Sequence, residues 1–273
     1  MPYAPTLTPF VDNNPAARVL VNFPTLATGT QTINVSKIIE GRTYKVRGGV
    51  KLFAVGTAAV MDYETPPGVT ITYQAEQFDV TGASLGFTST TSIGLNYTDA
   101  LISQPLNPGL VVKVRILMDS ANDIVRPIPG QVVFSEGGTV GRMIGGRRHG
   151  ITGMQLNVRL SSLADVATFE QMFGSYSTDY PAVLCIRTPP PLQIPRLFFA
   201  ACTEPHLVIG GVNSLLTYQM SVTEVLPPAP GLVIPLLRRE DIDAAYATRS
   251  ARAAAYATRI QRDNDYSKAG LAG

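Results

Sequence analysis

Tryptophan is absent from the 273 residues, and cysteine and histidine occur twice each. Cys185 and Cys202 alone build neither a disulfide framework nor a multi-cysteine zinc site, and they read as small buried hydrophobes on strands. His206 follows Cys202 closely, but no second pair completes a tetrahedron, so neither a metal nor a cofactor is expected. His149 and His206 are the only imidazole bases and no Gly-x-Ser-x-Gly elbow occurs, so the sequence does not predict an enzyme. Charge is scarce too. Asp, Glu, Lys and Arg make up 15% of the chain, against roughly 25% in a typical globular domain. No apolar run approaches the length of a membrane-spanning helix; the longest candidate, Leu232 to Leu237, contains Pro235. The opening Met-Pro-Tyr-Ala-Pro has no basic region or apolar core, so no secretory signal is expected.

Net charge is +2. Residues 238–273 hold seven Arg/Lys and five Asp/Glu, and the other 237 residues hold 15 of each, so the body is neutral. A nucleic-acid binder draws most of its affinity from a basic face. Nucleic acid is therefore not an expected partner.

What the chain does have is turn chemistry and period-two alternation. Gly and Pro number 24 and 21. In the first block Val69, Ile71, Tyr73 and Ala75 alternate with polar Thr70, Thr72, Gln74 and Glu76, which predicts a strand with one inward row. Val112, Val114 and Ile116 alternate with Lys113 and Arg115 in the same way. Turns are expected at Glu40-Gly41, Gly48-Gly49, Pro66-Pro67-Gly68 and Thr81-Gly82. Such spacing predicts an antiparallel sandwich over residues 1–125. Tyr73-Gln74-Ala75-Glu76, followed by Phe78-Asp79-Val80-Thr81-Gly82, resembles the penultimate strand and hairpin of fibronectin type III domains. That family's buried tryptophan is missing, and a related immunoglobulin-like sandwich fits equally well.

Arg126-Pro127-Ile128-Pro129-Gly130 reads as a linker, since two prolines disfavour helix and central strand. A second β domain is expected over 131–225. Met154, Leu156, Val158 and Leu160 form an inward row, as do Leu216, Tyr218, Met220 and Val222. One flanking helix is expected over 162–173, capped by Ser162 with Asp165 three residues on, carrying Leu163, Val166, Phe169 and Phe173 at helical spacing and ending at Gly174. Residues 226–240 read as a Pro-rich extended arm. Residues 241–262 then predict one alanine-rich helix about 33 Å long. In it Ala-Ala-Tyr-Ala-Thr-Arg occurs twice, and Ile242, Tyr246, Arg249, Ala253, Tyr256 and Ile260 form a short coiled-coil seam. The fold class expected is mainly β: two β-sandwich-like domains, an extended arm and a terminal α-helix.

The glycine-rich run 137–150 offers backbone N–H groups and arginines to an anion, but it lacks the Gly-Lys-Ser/Thr ending of a phosphate loop. A hairpin or subunit contact is the simpler reading. The acid pairs Asp62/Glu64 and Asp119/Asp123 lie in turn-like contexts and read as ordinary surface acids.

A further resemblance spans most of the chain. A sandwich is followed by Gly146-Arg147-Arg148-His149-Gly150-Ile151-Thr152-Gly153. Next come the short helix with Leu163-Ala164-Asp165-Val166, then Pro181-Ala182-Val183-Leu184-Cys185-Ile186-Arg187, Pro195-Arg196-Leu197-Phe198-Phe199-Ala200 and Thr223-Glu224-Val225. Pro-Gly-Leu-Val-Ile-Pro-Leu-Leu and a Tyr/Ala/Thr-rich tail close the order. This resembles the minor tail proteins of long, non-contractile-tailed actinobacteriophages, and the middle block resembles the tail-tube and distal-tail fold. The resemblance implies a structural virion protein at the tail tip, made in the host cytoplasm and assembling with other phage tail proteins as a ring or trimer.

Homo-oligomerisation as trimer or hexamer is expected, with Arg142, Arg147, Arg148, Leu232, Ile234, Leu236, Ile242, Tyr246, Tyr256 and Ile260 at subunit contacts. The alternative is a receptor-binding module gripping host cell-surface glycans through Tyr63, Phe87 and Tyr97. A tail-associated hydrolase ranks third.

Overall fold

A computed structural model of the chain describes residues 3–12, 16–174, 180–210, 215–229, 239–263 and 268. It is mainly β, and it divides into two units. One comprises Met1–Thr98, Ser103–Val111 and Pro228–Gly273; the other comprises Asp99–Ile102 and Val112–Pro227. The division falls earlier than residue 125, because the strand beginning at Asn107 runs on until Arg115 and Ile116 pair with Arg159 and Val158. The C-terminal segment groups with the first unit instead of standing apart.

The first unit contains two sheets. β1 (Thr6–Phe10), β2 (Arg18–Phe23) and β6 (Ala58–Asp62) form one, in the order β1-β2-β6. The other is built on β3 (Thr32–Ile39) and β7 (Thr70–Phe78), paired antiparallel from Thr32↔Phe78 to Ile39↔Ile71. β4 (Arg42–Lys45) and β5 (Leu52–Phe53) share the far edge of β3, while β8 (Ser84–Phe87) and β9 (Thr91–Gly94) share that of β7. The alternation read from β7 holds: Ile71, Tyr73 and Ala75 are fully buried, and the intervening residues are not. Inward rows from both sheets meet, since Lys37 on β3 reaches Asp62 on β6.

Two of the expected turns show their chemistry directly. Glu40 and Gly41, at φ 49° and 75°, join β3 to β4 as a two-residue hairpin, the left-handed pair that matches strand twist. At the other, Asp79 Oδ1 accepts from the Thr81 hydroxyl at 2.6 Å and from the amides of Thr81 and Ala83 at 2.8 and 2.9 Å. These bonds, that from the Thr81 hydroxyl foremost, hold the Asp79 carboxyl below its ordinary range.

In the second unit the expected sandwich is realised as a sheet that closes on itself. Its strands are β10 (Ala100–Gln104) and β11 (Asn107–Ile116), each of which crosses the division between the units, with β14 (Met154–Leu160), β15 (Val183–Arg187), β16 (Leu197–Cys202), β17 (His206–Gly210) and β18 (Leu215–Glu224). The order β14-β11-β10-β15-β16-β18 returns to β14 through a seven-residue β14–β18 ladder, giving a six-stranded barrel with β17 added on β18. The two rows read from the sequence face each other directly across that ladder: Met154↔Val222, Leu156↔Met220, Val158↔Tyr218 and Leu160↔Leu216. All eight side chains are buried. Closure pairs the edges that β14 and β18 turn toward each other along this whole stretch.

α1 (Leu163–Gln171) starts where Ser162 accepts the Asp165 amide at 3.1 Å and donates its hydroxyl to Asp165 Oδ2 at 2.9 Å. Phe169 is fully buried against the Tyr218 ring, 4.5 Å between centroids, and Tyr218 donates its hydroxyl to Glu170 at 3.1 Å. Burial, then the Glu170 carboxylate, push the Tyr218 phenol well above its ordinary range, so it stays a donor. Leu163, expected on the packed face, is 74% exposed, because the buried stripe runs through Val166 and Phe169 instead.

The single helix expected over 241–262 is instead three: α2 (Arg239–Ala245), α3 (Arg249–Ala255) and α4 (Arg259–Asp263). Each hexapeptide repeat contains a stop and a new start. Thr248 adopts extended backbone and its hydroxyl accepts the Ala251 amide at 3.1 Å. Thr258 does the same for Gln261 at 3.2 Å, and Gln261 Oε1 accepts the Thr258 amide at 3.2 Å, a reciprocal capping box. Threonine competes for helix backbone through its hydroxyl, which favours caps over helix interiors.

Candidate assembly interface

Residues 137–150 do lie in a hairpin, and it begins within the stretch read as a linker. β12 (Gly130–Val133) and β13 (Arg142–Gly145) pair antiparallel as a two-stranded sheet of their own. Proline lacks an amide proton but keeps its carbonyl. Pro129 therefore accepts from the Gly146 amide, and Pro127 from the His149 amide, both at 2.8 Å, extending the ladder beyond the strands.

The register explains the glycines. Val132 stands opposite Met143 and Gly130 opposite Gly145, and directly opposed side chains share a face. On that face Met143 Cε would lie 2.5 Å from a Cβ at Gly130 and 2.9 Å from one at Gly145. A Cβ at Gly141 would meet Val132 Cγ1 at 2.3 Å and the Phe134 ring at 3.0 Å. Val132, Phe134 and Met143 thus lie over three bare backbone positions, large side chains covering glycines across a ladder. The other face carries Val133, Arg142 and Ile144. All eight strand residues are exposed, with Val132 at 56%, Phe134 at 60%, Met143 at 54% and Ile144 at 56%. Arg142, Arg147 and Arg148 are exposed with them. Two-stranded hairpins are marginal in water without a packed face. This one presents apolar side chains on both faces with cations beside them.

The second feature, which lies in the first unit, is a buried charge cluster. Asp62 and Glu64, expected as surface acids, are 1% and 6% exposed. Lys37 Nζ donates to Asp62 Oδ1 at 2.8 Å, Asp62 Oδ2 at 2.9 Å and the Glu64 carbonyl at 2.7 Å, which uses all three ammonium protons. Asp62 also accepts from the Tyr73 hydroxyl at 2.8 Å and the Glu64 amide at 3.0 Å. Burial, reinforced by the Asp62 charge, raises the Tyr73 phenol well above its ordinary range. Glu64 Oε1 accepts Arg47 Nε at 2.9 Å, and the two ends of the Arg47 fork donate to the carbonyls of Ala229 and Pro228 at 2.9 and 3.1 Å.

The cluster is neutral overall, and it fastens the start of the C-terminal arm to the sandwich. Lys37 was legible in principle, since it stands in the inward row Ile33, Val35, Lys37, Ile39; Arg47 had no such signal. The other acid pair does stand outside: Asp119 and Asp123 are exposed, with Asp119 Oδ2 accepting the Asn157 side-chain amide at 2.7 Å.

Three residues of the terminal seam are engaged within the chain, while Arg249 and Ala253 are exposed. Ile242 is 4% exposed, so it is not free to meet a partner. Tyr246 and Tyr256 are half-buried, meet edge to face with centroids 5.6 Å apart, and join hydroxyls at 3.1 Å. Leu232, Ile234 and Leu236, and the side chain of Ile260, lie outside the described residues. Of the aromatics considered for sugars, Tyr63 and Tyr97 are half-buried, the Tyr97 hydroxyl donating to the Thr65 carbonyl at 2.7 Å; Phe87 is half-exposed. Cys185 and Cys202 are fully buried on β15 and β16, and burial pushes the Cys202 thiol up to about 11. Among the described residues no group of three or more His, Cys, Asp or Glu could hold a metal ion, and no helix is long and apolar enough to cross a membrane.

No family model matches the chain, and no curated protein or solved structure gives a significant match.

Proposed function

We propose that this protein is a structural subunit of a bacteriophage tail tip, assembling with copies of itself and with other tail proteins, without a catalytic step. The observation that carries the assembly half is the β12–β13 hairpin: an ordered ladder whose Val132, Met143 and Ile144 are more than half exposed while its glycines are already covered. A strand pair with that surface is accounted for when a neighbouring copy covers it. The tail-tip half rests on the order of motifs from the sandwich through Gly146–Gly153 to the Tyr/Ala/Thr-rich tail.

Two measurements test the two halves separately. Light scattering of the full chain gives the assembly state. Replacing Val132, Phe134 and Ile144 with Ser is expected to shift it toward monomer while the barrel still unfolds cooperatively. A wild-type chain that is monomeric at high concentration overturns the assembly half. Immunogold labelling of purified particles is expected to mark the tail end distal to the capsid, and label confined to the capsid overturns the tail half.

A further inference from the structure

Asp243–Arg252 and Ala253–Arg262 align as two ten-residue repeats, and each places arginines one and four positions after its capping threonine. The result is a stretch from Arg249 to Arg262 with four arginines and no acid. Arg249, Arg252, Arg259 and Arg262 converge with Tyr256 and Thr258 on one concavity of about 330 Å3. Two of the four are held in place: Arg252 donates to Asp243, and Arg262 pairs with Asp263 at 2.6 Å. Both are half-buried, while Arg249 and Arg259 are exposed, with no carboxylate within ion-pair distance among the described residues. Arg249 and Arg259 open α3 and α4, whose first turns carry no acid. A cation at that end of a helix opposes the macrodipole, so helix stability does not account for it.

We propose that this concavity binds a phosphate-bearing ligand, a phosphomonoester or diphosphate group. Arg262 pairs with Asp263, and Arg252 shares Asp243 with Arg239, so at least the charges of Arg249 and Arg259 remain to be matched in a small volume. A phosphoryl group carries about −1.5 to −2 charge and three acceptor oxygens, whereas matching it with carboxylates crowds two like charges together. Guanidinium forks address phosphate oxygens in pairs, and the two aspartate-held arginines are oriented in advance. The volume suits a compact ligand group. The site is independent of the tail reading.

Isothermal titration of the full chain with inorganic pyrophosphate at low ionic strength tests it. Saturable binding is expected at pH 6, where pyrophosphate and the dicarboxylate succinate carry similar charge, and it is expected to be stronger than for succinate. Arg249→Ser with Arg259→Ser is expected to weaken it about tenfold or more, through lost charge-assisted bonds. Both side chains are exposed, and a thermal melt checks that the variant folds. Arg249→Lys with Arg259→Lys provides a second variant, expected to keep the charge but lose the preference for pyrophosphate over succinate. Absence of saturable binding overturns the proposal, as do equal affinity for succinate or an unchanged affinity in the folded serine variant. Binding of a short DNA duplex without binding of pyrophosphate overturns it in favour of a nucleic-acid surface.

Discussion

Lys37 and Asp62, on strands of opposite sheets, meet at 2.8 Å with neither side chain exposed to solvent. Removing two ions from water is costly, and their attraction offsets the cost only when every remaining donor and acceptor is used. Here the ammonium has three partners, and the carboxylate accepts from Lys37, Tyr73 and the Glu64 amide. Lys37→Met strands a buried carboxylate and is expected to destabilise the first unit by about 3–5 kcal/mol in urea unfolding. The pair replacement Lys37→Met with Asp62→Leu is expected to recover much of that loss. A cost for the single change no larger than for an exposed ion pair, below about 1 kcal/mol, would count against the cluster.

Cys202 gives a pH prediction. Burial pushes its thiol up to about 11 in the folded chain, from 9.0 for the free group. At pH 8 about one thiol in a thousand is then thiolate, and reactivity follows the thiolate. Labelling by a maleimide at pH 8 is expected to be negligible in the native protein and rapid in urea. The folded state holds the proton more tightly than the unfolded one. This contribution to stability is therefore intact below pH 9 and is lost as pH rises through 11. Cys202→Ala is expected to flatten that alkaline limb.

The hairpin prediction follows from the covered glycines. A valine at Gly141 has to displace Val132 and Phe134, whose atoms lie 2.3 and 3.0 Å from the new Cβ. Gly141→Val is expected to open the β12–β13 ladder, exposing residues 135–141 to proteolysis. The barrel contains no hairpin strand, and its unfolding free energy is expected to change by no more than an ordinary surface substitution does, about 0.5 kcal/mol. Should that free energy fall by several-fold more, the hairpin is part of the folding core and not an appended arm.

Legibility in the sequence followed the strength of the local pattern. The rows at Ile71–Ala75, Met154–Leu160 and Leu216–Val222 were readable because a half-buried strand fixes its period at two, and all three are inward rows. Barrel closure was not readable, since it depends on which strands pair, and alternation is silent about partners. A hairpin was readable over 137–150, but its first strand was not, because Pro127 and Pro129 were read as breakers although their carbonyls complete the ladder. Lys37 shows the reverse case: it occupies an inward position, and only the fold reveals Asp62 and Glu64 waiting there.

The terminal repeat allows a test in which two readings differ in sign. In a single helix over 241–262, Thr248 and Thr258 would be interior positions, and alanine there would stabilise the helix because it loses less freedom. In the observed structure both are N-caps, and Thr258 shares a reciprocal pair of bonds with Gln261. Losing an N-cap hydroxyl costs about 0.5–2 kcal/mol. Thr258→Ala is therefore expected to lower the protection of the α4 amides in hydrogen exchange, with Thr248→Ala doing the same for α3. Thr258→Ser, which keeps the acceptor, is expected to retain most of that protection. Gln261→Ala is expected to cost little once Thr258 is already alanine, because the two bonds support one backbone turn and the effects of coupled neighbours do not add. Raised protection across 246–258 in the alanine variants would restore the continuous helix, and with it the coiled-coil seam through Ile242 and Ile260.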